Sequence, residues 1–105
     1  MDVPEIDVGE LARLREAGVV LVDVREPDEY ESFHVPGAQL IPLAEVPERI
    51  EEIPSDERVY VICAGGGRSA KAVDFLNKQG HDTVNVAGGS KAWLEAGHPV
   101  EHGPA

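Results

Sequence analysis

Cys63 is the sole cysteine among 105 residues, and its neighbours equip it for nucleophilic chemistry. It closes the apolar run Arg58-Val59-Tyr60-Val61-Ile62 and opens the loop Ala64-Gly65-Gly66-Gly67-Arg68-Ser69. Beyond the loop, Ala70, Ala72, Val73 and Leu76 recur at helical spacing, and Gly80 closes the segment. A thiol between a strand's end and a helix's first turn faces unpaired backbone N–H groups and the positive end of the helix dipole. Those donors, together with the Arg68 guanidinium, favour thiolate over thiol, the reactive form. A cysteine is more often a small buried hydrophobe, but that role leaves three consecutive glycines unexplained. Glycines at that point suit a backbone that curls with its N–H groups around an anion.

Two other glycine loops compete for the segment. A phosphate-binding P-loop requires Lys before its Ser/Thr, and Arg68 stands there instead. Gly65, Gly67 and Ala70 satisfy the degenerate dinucleotide fingerprint, yet the next strand candidate, Thr83–Val86, runs into Ala87-Gly88 with no acidic residue for a ribose.

The length supports one domain with a single core, over residues 1–105. No apolar run reaches the roughly 20 residues of a membrane span, and no signal-peptide pattern opens the chain. A lone cysteine makes no internal disulfide, which suits a reducing compartment, and a cytoplasmic location is expected. Net charge is −11, unevenly placed: residues 1–57 carry sixteen acidic and four basic side chains, residues 58–105 four and five. The thiol loop thus lies in the half that would not repel an anion. Nucleic acid, which needs a basic face, is excluded as a partner. The acidic half serves solubility, or alternatively meets a basic protein. His81, His98 and His102 lack ligand spacing, so no metal site is read.

The elements that position the loop alternate. Asp7 caps a helix with Glu10 as capping-box partner, Leu11 and Leu14 form its inner face, and Gly18 ends it. Val19–Val24 is a continuously apolar strand. Glu26–Glu31 is a short helix with Pro27 in its first turn, His34–Ala38 a turn, and Gln39–Ile41 a brief strand. Ala44–Ile53 reads as a helix begun or interrupted by Pro47. The Cys63 strand and its helix follow, then strand Thr83–Val86 and helix Ser90–Ala96, stopped by Gly97 and Pro99; residues 101–105 read as a frayed tail. Such alternation implies an α/β sandwich with a mostly parallel sheet, whose ligands sit at the carboxyl ends of the strands, where Cys63 lies.

Asp23-Val24-Arg25-Glu26, His34-Val35-Pro36-Gly37-Ala38, the Cys63–Ser69 loop, and Gly88-Gly89 followed by Ala92-Trp93 together resemble a rhodanese-like domain. The motifs occur in the family's order, within a core of residues 20–99. The resemblance implies a three-layer α/β sandwich around a five-stranded, mostly parallel sheet. It also implies thiosulfate sulfurtransferase-like chemistry, with the loop cysteine carrying a sulfane sulfur as a persulfide and no separate cofactor. Cys63 to Arg68 has the six-residue loop length associated with sulfur transfer; the related phosphatases and arsenate reductases use one residue more, because a tetrahedral oxyanion needs a wider cradle.

On this reading Cys63 is catalytic, and Ala64, Gly65, Gly66, Gly67, Arg68 and Ser69 bind the persulfide. The substrates are a small anionic sulfur donor, thiosulfate or a persulfide, and a thiol or cyanide acceptor; a protein is admitted on either side, as donor or as acceptor. Many relatives carry a cation at the second loop position, where this chain has Ala64, which weakens the case for thiosulfate and strengthens that for a persulfide donor. Phe33 replaces a glycine that often precedes the histidine. Asp23, Arg25 and His34 are candidates to line the site; Asp23 and Arg25 alternatively pair with each other or with nearby backbone, and His34 is read as a hydrogen-bonding turn residue rather than a catalytic base. Trp93 is read as packing. The alternative function is a non-catalytic interaction module on the same fold.

Overall fold

Val59-Tyr60-Val61-Ile62 is buried at every position, as a strand covered on both faces must be. In the computed structural model, which describes residues 2–104, this segment is the middle strand of a five-stranded, wholly parallel sheet. The strands are β1 (Glu5–Ile6), β2 (Val20–Asp23), β3 (Gln39–Leu40), β4 (Val59–Ile62) and β5 (Thr83–Val86), in the order β1-β5-β4-β2-β3. Helices α1 (Val8–Glu16), α2 (Pro27–Ser32), α3 (Gly67–Lys78) and α4 (Gly89–Glu95) complete the three layers.

The alternating faces of β4 build two cores. Val59 and Val61 pack with Val22, Val73 and Leu76, under α3. Tyr60 and Ile62 pack with Leu11, Leu21, Val86 and Trp93, under α1 and α4. Trp93 is 3% exposed and its indole N–H donates to Pro99 O at 2.8 Å, a packing role. Capping follows local sequence: Asp7 accepts from Glu10 N at 2.9 Å, and the Glu29 carboxylate accepts from Glu26 N at 2.9 Å to start α2.

Three segments depart from the sequence reading. The two-residue edge strand β1 pairs with β5 through Asn85 and Val86, too short to leave a periodic pattern. Residues 44–53 form no continuous helix: two 3-10 turns, Leu43–Glu45 and Ile50–Glu52, flank a run of turns. Pro47 lacks the N–H that would bond back to Leu43, and its ring crowds that carbonyl. The tail is not frayed over residues 101–103. Glu101 and His34 exchange backbone hydrogen bonds of 2.9 Å each, and Gly103 N donates to Glu31 O at 2.9 Å. Ala105 lies outside the described residues.

Candidate active site

β4 ends at Ile62, so Cys63 is the first residue past the carboxyl end of the central strand. It is 1% exposed. Helix α3 begins at Gly67 rather than after the loop, so the second half of the loop is the helix's own first turn. Its cap, Gly66, has φ +110°, a left-handed conformation that a side chain would strain. There the Gly66 N–H donates to Cys63 Sγ at 3.1 Å, and Ser69 Oγ lies 3.2 Å from the same sulfur. Burial pushes the thiol's pKa up, but the Ser69 hydroxyl and the N–H groups of Ser69, Gly66 and Gly65 outweigh it and hold the pKa below its ordinary value.

Helix α4 braces the loop from outside. Ser90 N donates to Cys63 O at 2.8 Å and Lys91 N to Ala64 O at 3.1 Å. With the Cys63 and Ala64 carbonyls turned toward α4, the N–H groups of Gly65, Gly66 and Ser69 face the sulfur. The approach is so close that a Cβ on Gly89 would collide with the carbonyl oxygens of Cys63 and Ala64, and its φ is +61°. The glycine pair 88–89 therefore belongs to the thiol site.

Arg68 does not reach the sulfur with its hydrogen bonds. Its guanidinium binds the Glu29 carboxylate of α2 bidentately, at 2.7 and 2.9 Å. That hydrogen bonding lowers the Glu29 pKa to about 2. Arg68, expected from the sequence to favour the thiolate, commits its hydrogen bonds to Glu29: its field reaches Cys63, but a carboxylate offsets it.

Asp23 and Arg25 pair with each other, fully buried, through Nε–Oδ1 at 3.0 Å and Nη2–Oδ2 at 2.8 Å. Arg25 Nη2 also donates to Phe33 O at 2.7 Å, which fixes the turn where Phe33 stands. Arg25 still borders the site: with Glu29, Phe33, Ala64, Ser90 and Lys91 it lines a hollow of about 170 Å³ beside the loop. His34 lines no part of that hollow. Its ring stacks on Tyr30 with centroids 3.7 Å apart, and Nδ1 lies 2.7 Å from Tyr30 O.

Three residues that contact the site escaped sequence reasoning. Glu29 appeared as an ordinary helix carboxylate, and its partner lies 39 residues away. Ser90 supplies the one buried side-chain polar atom without a hydrogen-bond partner among the described residues. Asn85 is 2% exposed in β5 and accepts from Ser69 Oγ at 2.5 Å. An amide inside a Val-rich strand was the available signal, since burying one without partners is costly. Among the described residues no group of three or more His, Cys, Asp or Glu side chains could hold a metal, and no helix is long and apolar enough to cross a membrane.

A family model described as Rhodanese-like domain matches residues 7–96. A sulfurtransferase of Allochromatium vinosum is 40% identical over 101 residues, 93% of this chain and 94% of that protein. The structure of a rhodanese-related protein from Thermoplasma volcanium superposes with a TM-score of 0.88 at 37% identity, covering 93% of this chain and 97% of that one. Other relatives are longer. The chain spans 40% and 59% of the Bacillus subtilis proteins YrkF and YqhL, to each of which it is 43% identical over 74 residues, 70% of its own length.

Proposed function

The chain belongs to the rhodanese-like domain family, and on that premise we propose that it is a sulfurtransferase carrying sulfane sulfur as a Cys63 persulfide. The observation that carries this reading is the aim of the loop: the Gly66 N–H and the Ser69 hydroxyl meet at one sulfur, at a strand's carboxyl end. The Gly66 N–H is already in place for a sulfur anion, and the Ser69 hydroxyl has only to rotate its proton toward it.

In the first half-reaction the Cys63 thiolate attacks the outer sulfur of the donor. A sulfur–sulfur bond forms at Sγ as the donor's own bond to that sulfur breaks, and the leaving group departs with the electron pair: sulfite from thiosulfate, a thiolate from a persulfide. In the second, an acceptor thiolate attacks the outer sulfur and Cys63 leaves as thiolate, ready for another donor. The curled N–H groups of the loop hold the terminal sulfur between the two steps. A persulfide donor, small or on a protein, fits the electrostatics better than dianionic thiosulfate, because Glu29 offsets the loop's single guanidinium and borders the adjacent hollow.

Intact-protein mass after exposure to thiosulfate, and separately to a low-molecular-weight persulfide, tests the reading. Wild type is expected to gain one sulfur, lost again on dithiothreitol treatment, while Cys63→Ser gains none. Absence of a reducible gain with both donors would refute it.

A further inference from the structure

Asn85 interrupts a strand whose neighbours on either side, Val84 and Val86, are buried apolar residues. Its carboxamide is bonded to both residues that contact the thiol, to Ser69 through the hydroxyl and to Gly66 through the carbonyl. Oδ1 accepts from Ser69 Oγ at 2.5 Å, and Nδ2 donates to Gly66 O at 3.2 Å and to the Glu5 carboxylate of β1 at 3.4 Å. This orientation is fixed by chemistry: a flipped amide would set its oxygen against two groups that can only accept, the Gly66 carbonyl and the Glu5 carboxylate.

A serine hydroxyl has one proton. Here two acceptors compete for it, Asn85 Oδ1 at 2.5 Å and Cys63 Sγ at 3.2 Å. With a neutral thiol, the S–H donates to Ser69 Oγ and Ser69 donates onward to Asn85. With a thiolate, the anion is the stronger acceptor, and the hydroxyl turns to it. The Asn85 carbonyl then loses its partner. Gly66, whose N–H stays on the sulfur throughout, is tethered by Nδ2 in either state.

We infer that Asn85 is a positioning residue of the sulfur site: it holds the single Ser69 proton while the cysteine sulfur is neutral, yields it when that sulfur is anionic, and anchors the Gly66 peptide meanwhile. The consequence for turnover rests on the sulfurtransferase reading. In a persulfide the inner sulfur is uncharged, so the Ser69 proton returns to Asn85, whereas the freed thiolate reclaims it. The device thereby favours the loaded state over the free thiolate.

The test reads ionisation alone, without any sulfur donor, so it stands whether or not sulfur transfer is found. The pH dependence of Cys63 alkylation is measured for wild type, Ser69→Ala, Asn85→Leu and the double variant. Ser69→Ala is expected to weaken ionisation in both backgrounds, by about fivefold more in the Asn85→Leu background, where the hydroxyl is uncontested, the equivalent of one neutral hydrogen bond. Equal shifts in the two backgrounds would overturn the inference, since loosening of Gly66 alone is independent of Ser69. If Asn85→Leu does not fold, the unmutated protein decides: the Asn85 side-chain carbonyl 13C resonance should titrate together with Cys63 and stay flat in Cys63→Ser. A resonance unmoved by Cys63 ionisation would equally overturn it.

Discussion

Glu29→Gln isolates what the loop's guanidinium contributes to donor choice. In wild type the Arg68 charge is met by a carboxylate at 2.7 and 2.9 Å, with both side chains about one-third exposed, at 35% and 32%. Glutamine keeps one hydrogen bond to Arg68 and removes one negative charge from the edge of the hollow beside Ala64. One unit of charge acting on a dianion at ~10 Å, through an effective dielectric of ~60, amounts to about 1 kcal/mol. Formation of the Cys63 persulfide from thiosulfate should therefore accelerate about fivefold in kcat/KM at low ionic strength, with the gain shrinking as salt is added. An uncharged trisulfide donor should show no such gain. The same variant costs stability. Glu29 titrates near 2 in the fold against 4.5 ordinarily, so the pair's contribution is complete above about pH 4.5 and is lost as pH falls through 2. Solvent screening limits that contribution to about 1 kcal/mol. Denaturant midpoints of wild type and Glu29→Gln should differ at pH 7 and converge near pH 2. Stopped-flow persulfidation would refute the reasoning if thiosulfate reacted no faster with the variant, or if the gain were equal for charged and uncharged donors.

The loop glycines should separate by conformation rather than by position in a motif. Gly66→Ala forces a side chain into φ +110° and should cost about 1–2 kcal/mol with loss of thiol reactivity, while Gly65→Ala and Gly67→Ala, with open space at each Cβ, should stay within about 1 kcal/mol by chemical denaturation. Gly89→Ala should be worse than Gly66→Ala, because its Cβ collides with the Cys63 carbonyl; a thermal midpoint equal to wild type would contradict the brace between α4 and the loop. Wild-type Cys63 should reach half-maximal alkylation rate below the ordinary thiol range, since its hydrogen bonds favour the anion; a profile centred at or above pH 9.0 would contradict that. Ser90→Ala should raise the melting midpoint, by removing a buried hydroxyl whose unmet hydrogen bond costs about 1–3 kcal/mol.

The sequence by itself determined whatever depends on neighbours along the chain. The apolar runs of β2 and β4, the Thr83–Val86 strand, the Asp7 cap and the amphipathic spacing of α3 are local patterns, and each appears within a residue or a few of its expected place. The strand–Cys63–glycine–helix order likewise placed the thiol at the carboxyl end of a strand. Where local signals were weak or contradictory, the reading failed: β1 is two residues long, and Pro47 broke a helix that the spacing of residues 44–53 suggested. Tertiary structure alone decided the partners. Arg68 could have faced the sulfur; it faces Glu29 because α2 packs beside the loop. Asn85 could have been an ordinary strand residue; pairing β5 beside β4 carries it to Ser69 and Gly66. The tail is held by the exchange between Glu101 and His34, residues far apart along the chain. Charge and hydrogen-bonding capacity are written in residue type, but their satisfaction depends on which distant groups the fold brings within about 3 Å.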